Sequence, residues 1–107
     1  MTLKAAVVLT IALAANIAAA APRACEQEGQ WACAGEDAAR ADKALNVAYK
    51  QAMARLDADG KIKLRNEQRA WIKRRDKECS ANAINQGQIL GCEQDLTITR
   101  TAEIQRY

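Results

Sequence analysis

The sequence predicts an all-α protein, a small three-helix up-down-up bundle with a disulfide-linked N-terminal loop. Three observations lead there. Two long segments repeat apolar residues at offsets of three and four, the helical period. Nothing alternates with the period of two that a half-buried strand requires, no hairpin signal occurs, and the 107 residues include no Phe. Four Cys residues, at 25, 33, 79 and 92, would gather at one end of an up-down-up arrangement, which suits a small domain held by disulfides.

The first 20 residues read as a leader and not as part of that domain. Lys4 is a short positive start, Ala5 to Ile17 is apolar apart from Thr10 and Asn16, and Ala18-Ala19-Ala20 offers the small residues of a cleavage site. The expected processing is a secretory signal peptide over 1–20, cleaved after Ala20, because cleavage one residue later would put Pro22 at the first mature position. The run is short and Ala-rich beside the ~20 strongly apolar residues of a membrane span, so no stable membrane insertion is expected after cleavage. Pro22-Arg23-Ala24 lacks the apolar residue that would precede a lipid-modified Cys25. The expected location is the periplasm or the extracellular space.

Residues 21–107 then form one domain of 87 residues, with fifteen basic and thirteen acidic side chains and a charge of +2. A chain this small buries only ~60–65% of its unfolded surface and is marginal on core alone. Two disulfides, each worth ~2–4 kcal/mol, answer that weakness. Four Cys residues allow three connectivities; local closure favours Cys25–Cys33 and Cys79–Cys92. Zinc does not fit, since the spacings of eight and thirteen are not CxxC pairs and the chain has no His.

Between Cys25 and Cys33 the chain must fold back, because eight residues of helix would hold the two Cα atoms ~12 Å apart. Gly29 is the expected bend, and Trp31 the expected lid over the end of the helical core. The first helix is expected over about 36–57. Its stripe is Ala38, Ala41, Leu45, Ala48, Tyr49, Ala52 and Leu56, and Glu36-Asp37 suits the positive end of its dipole. The small Ala side chains imply a close helix–helix approach. Asp57-Ala58-Asp59-Gly60 should stop it, with Gly60 as the terminating residue, and so short a link makes the next helix an antiparallel neighbour. The second helix is expected over 61–79, with Leu64, Gln68, Trp71, Ile72, Arg75 and Cys79 on one face. It carries eight basic and three acidic residues. Ser80 to Gly91 reads as a polar loop, and 93–106 as the third helix, with Leu96, Arg100 and Ile104 on one side.

No catalytic constellation stands out. The commonest general base, His, is absent, and paired Cys residues leave no thiol nucleophile. Carboxylate pairs such as Asp57/Asp59 and Asp76/Glu78 read as turn chemistry and helix-surface charge. Neither an enzyme nor a cofactor is expected. Charged residues on core-facing stripes say more, because a charge there must be paired or it costs several kcal/mol. An Asp42–Arg75 or an Asp76–Arg100 pair is expected, with Asn46 bonding nearby, as a structural polar core. The row Lys61, Arg65, Arg69, Lys73 and Lys77 at i, i+4 spacing is a solvated face, a surface for anionic cell-wall polymer or lipid, or part of a protein interface. No nucleic-acid recognition motif accompanies it.

Several stretches together resemble a known family. Ala41-Asp42-Lys43-Ala44-Leu45-Asn46-Val47-Ala48-Tyr49 resembles an "aDxxLNxxY" helix. Gln68-Arg69-Ala70-Trp71-Ile72-Lys73-Arg74-Arg75-Asp76-Lys77-Glu78-Cys79 is similar to "QraWixxRDxxC". Cys92, Thr97, Arg100 and Ile104 match a closing "C…T..R…L/I" pattern. The combination resembles the lysozyme inhibitor LprI-like family of small exported bacterial helical proteins, and it covers nearly all of 21–107 and all four Cys positions. Where that family often carries Gly-Gly-Ser after "RDxxC", only Gly87 and Gly91 stand here. The resemblance implies a protein that binds a lysozyme. Lysozymes are typically basic, so the expected contact surface is the acidic set Glu36, Asp37, Asp57 and Asp59.

Overall fold

The computed structural model describes Thr2 and residues 21–29 and 31–107. The expected 1–20 leader and its cleavage site lie outside the described residues, Thr2 apart. A short 3₁₀ turn, Ala24–Gln27, leads into three helices: α1 Ala34–Arg55, α2 Ala58–Ser80 and α3 Gln86–Ile104. The chain runs up, down and up. Arg55 at the end of α1 donates to the carbonyl of Tyr107 just past α3, so α1 and α3 are parallel, with α2 antiparallel to both.

The N-terminal loop folds back as its Cys spacing demands. Cys25 and Cys33 are bonded with their Cα atoms 5.1 Å apart. The reversal falls at Gly29, whose φ of 134° only glycine adopts without strain. Arg23 anchors the loop to α1, donating to Asp37 at 2.5 Å and to Glu26 at 3.0 Å.

Helix α1 buries Ala38, Ala41, Leu45, Ala48 and Ala52, the line its sequence stripe traces. Ala brings no bulk to hold a neighbour off, and α1 lies closest along α3. The α1 and α2 backbones approach each other much less; larger side chains bridge them, and a groove runs between. The core joins Leu45, Ala48 and Ala52 to Leu64 of α2 and Ile104 of α3, with Tyr49, Met53, Leu56 and Trp71 packed against it. Leu64 and Ile104 are fully buried, and each contributes ~1.5–3 kcal/mol from area removed from water.

Two helix boundaries differ from the sequence expectation. The α1–α2 link is only Leu56-Asp57. Gly60 does not terminate α1; it sits in the first turn of α2, and its N–H donates to Asp57 Oδ1 at 2.8 Å. Asp57 is thus an N-cap, which favours helix as strongly as a Gly terminator would favour a stop. Helix α3 begins at Gln86, seven residues before the expected Glu93. Asn85 accepts from the Gln88 N–H at 2.8 Å, and the Gln88 side chain reaches back to the Ile84 N–H at 2.9 Å. This is a capping box shifted by one residue, since Gln88 accepts from the N–H just before the cap. Its Asn-x-x-Gln signal is present in the sequence but masked by two glycines.

Those glycines form the seat of Trp31. A Cβ on Gly87 would overlap the Trp31 Cβ and fall 2.7 Å from its Cγ, whereas one on Gly91 would sit 3.3 Å from Cζ3. Opposite outcomes are expected for the two alanine substitutions. Each gains ~1 kcal/mol of helix propensity. At Gly91 the ring edge can shift by a few tenths of an ångström, and Gly91→Ala stabilises or is neutral. At Gly87 the obstruction is the root of the side chain, and overpacking costs ~1–3 kcal/mol, so Gly87→Ala destabilises and releases Trp31. Thermal melts and the Trp emission maximum check both; a Gly87→Ala protein as stable as wild type would disprove the seat.

Candidate functional site

The polar centre of the bundle is built around Trp71 of α2. Two guanidinium groups flank its ring, Arg75 at 5.2 Å and Arg100 at 5.9 Å from the centroid. Arg75 donates to Thr97 on α3 at 3.2 Å and to Asp42 on α1 at 3.2 Å, and pairs with Asp76 at 2.9 Å. One side chain therefore ties all three helices. Arg100 is buried; its Nε donates to Gln68 Oε1 at 2.9 Å and its Nη1 to Glu103 at 3.0 Å. Its Nη2 is buried without a partner.

The expected polar residues divide in this arrangement. Asp42 meets Arg75, but Asp76 does so too and does not reach Arg100, whose buried partner is Gln68. Asn46 is exposed on the flank of α1 and not inside the core. The reason is helical phase: Ala41, Leu45 and Ala48 hold the inward line, which turns Asp42 and Asn46 toward the α1–α2 groove. Gln68 takes the role toward Arg100 that the sequence reading gave to Asp76. Its place on the stripe between Leu64 and Trp71 was the available signal, since a polar group at such a position must be satisfied.

The second disulfide joins Cys79 to Cys92, with Cα atoms 5.4 Å apart. It fastens the end of α2 to α3 across the 81–85 connection. Trp31 is 43% exposed, covering the Gly87–Gly91 face of α3 at the same end of the bundle. Among the described residues no group of acidic or Cys side chains forms a metal site, and no helix is long and apolar enough to cross a membrane.

The acidic set does not come together. Glu36 and Asp37 open α1, while Asp57 and Asp59 lie past its far end, roughly 30 Å of helix axis away. Asp37 is also occupied: the Arg23 hydrogen bond, with help from Arg40 at 2.6 Å, holds its carboxyl below the usual range. The same contact raises the Arg23 guanidinium further above its ordinary value. Asp57 is engaged as a helix cap. At the far end, Tyr107 donates to Glu67, which raises the phenol pKa above its usual value.

The basic row is split as well. All five of its residues are exposed, but each i, i+4 step turns about 40° further round the helix, so Lys61 to Lys77 sweeps about 160°. A flat anionic surface meets only part of such a row. Arg65 and Arg69 line the groove against α1, whereas Lys73 and Lys77 turn away from it. The groove encloses ≈ 490 Å³. Asp42, Asn46 and Tyr49 form its α1 wall, and Arg65, Arg69, Ile72 and Arg75 its α2 wall.

The family described as lysozyme inhibitor LprI matches residues 18–104. No curated protein matches the chain, and no solved structure does.

Proposed function

We propose that this chain, which belongs to the lysozyme inhibitor LprI family, is a non-catalytic binding protein whose target is a lysozyme. The observation that carries the reading is the family match, which extends from the end of the leader region to the last turn of α3. The structure is of a kind that suits inhibition by binding. Two disulfides and the Arg75 tie across three helices restrict motion, so little ordering entropy is lost on docking. The chain has no His, and all four Cys residues are bonded, which leaves few groups for chemistry of its own.

The same reading places the protein outside the cytoplasm, in the periplasm or secreted. Disulfides persist in oxidising compartments, and the leader composition of residues 1–20 agrees with export. The test is a lysozyme cell-wall clearing assay titrated with the exported, oxidised protein. Clearing is expected to fall with added protein until the enzyme is saturated. Unchanged clearing at large molar excess would remove the inhibitor reading.

A further inference from the structure

We infer that the α1–α2 groove is the docking surface, and that it takes acidic side chains of the protein partner on Arg65 and Arg69. The inference rests on the protein-binding reading above and specifies where the partner sits.

The charges around the groove are unequally satisfied. Arg75 is held by Asp42, Asp76, Thr97 and the Trp71 ring. Elsewhere on the surface Arg40 has Asp37 and Lys63 has Glu67. Arg65 and Arg69 form no ion pair among the described residues. They stand one turn apart on one side of α2, where Cβ atoms are ~5–6 Å apart. Two guanidinium forks at that spacing can each take a carboxylate in bidentate fashion. Asp42, the acid among the groove-lining residues, is already committed to Arg75, so the groove keeps an excess of positive charge.

The rest of the groove suits a protein contact. Ile72 is 38% exposed and Tyr49 is half-buried beside it, giving an apolar flank next to the two charges. Arg with an aromatic and an aliphatic anchor is the mixture typical of an interface centre. The wall behind them is fixed, because Arg75 is bonded to α1 and α3 at once. The acidic set, by contrast, is divided between the two ends of α1 and partly consumed by Arg23, Arg40 and the α2 cap. A basic lysozyme still gathers acidic groups in one place, since hydrolysis of a glycosidic bond uses two carboxyl groups flanking it, one ionised and one protonated, and both can accept from a guanidinium.

The test compares two double charge reversals on the same helix, binding the exported, oxidised protein to immobilised lysozyme. Arg65→Glu/Arg69→Glu alters the groove, and Lys73→Glu/Lys77→Glu makes the same charge change on the side facing away. All four residues are exposed, and circular dichroism with a thermal melt checks that each variant folds; Arg65→Gln/Arg69→Gln is the milder version. The groove reversal is expected to weaken Kd by about 30-fold or more, and the outer reversal by less than about 3-fold. Equal losses from both reversals, or none from the groove reversal, would overturn the docking surface while leaving the lysozyme reading in place. A wild-type protein that does not bind lysozyme would overturn both.

Discussion

Replacing Gln68 by Ala is expected to destabilise the protein by about 3 kcal/mol, although the residue is uncharged and makes one side-chain hydrogen bond to its neighbours in the core. The reason lies with its partner. Arg100 is buried, one of its nitrogens already lacks a partner, and its Nε bonds Gln68. Removing the Gln68 carbonyl leaves a second donor of a buried cation unsatisfied. A lost hydrogen bond to a charged group costs ~1.5–3 kcal/mol, and the donor left buried and unsatisfied puts the loss at the upper end of that range. The Glu103 contact is half-exposed and offsets part of this. For a domain of this size each kcal/mol moves the melting temperature by ~4–8 °C, so the change is easily read. Gln68→Leu combined with Arg100→Met should recover most of the loss, since replacing both partners by apolar groups of similar volume leaves nothing unpaired. A double-mutant cycle by urea denaturation measures the coupling. A Gln68→Ala protein within about 0.5 kcal/mol of wild type would refute the account.

Removing the Cys79–Cys92 bond, as Cys79→Ser/Cys92→Ser, is expected to cost a similar amount by a different route. Closing the 13-residue separation removes unfolded-chain entropy worth about 3 kcal/mol. The bonded residues also hold together the end of α2 and the first turns of α3, where Trp31 rests on Gly87 and Gly91. Loss of the bond should therefore loosen that end first. Hydrogen exchange is expected to rise over 80–92 before it rises at Leu64 or Ile104, alongside a melting temperature ~12–24 °C lower. Uniform exchange at both ends would show that the bond acts only on the unfolded chain.

How legible these features are in the sequence depends on what each one rests on. The α1 stripe and the helical character of 61–79 rest on periodicity, which survives any packing partner. The start of α3 rests on the Asn85–Gln88 cap. Two glycines in the first turns count against helix by ~1 kcal/mol each, and only the Trp31 side chain seated on α3 explains why Gly87 is one of them. Gly60 shows the same ambiguity at smaller scale: a glycine after two acids can end one helix or sit behind the N-cap of the next, and local preference does not choose.

The candidate site was legible in composition and not in arrangement. The sequence singles out Arg75 and Arg100 as charges on inward stripes, but it cannot say that Arg100 turns to Gln68. It shows five basic residues at i, i+4 spacing and four acids near helix ends. It cannot show that Arg65 and Arg69 meet α1 while Lys73 and Lys77 face away, or that Arg23 and the α2 cap engage Asp37 and Asp57.

By itself the sequence determined the all-α class, three antiparallel-linked segments and a domain in need of disulfides. These follow from periodicity, short connections, chain length and residue spacing, all of which are local or compositional. The tertiary structure alone decided which buried cation found which partner, which unpaired arginines line a groove, and where that groove opened. Those outcomes depend on the relative rotation and separation of helices. Here the Ala face of α1 draws α3 close while bulkier side chains hold α2 apart, and it is that unequal spacing that creates the surface.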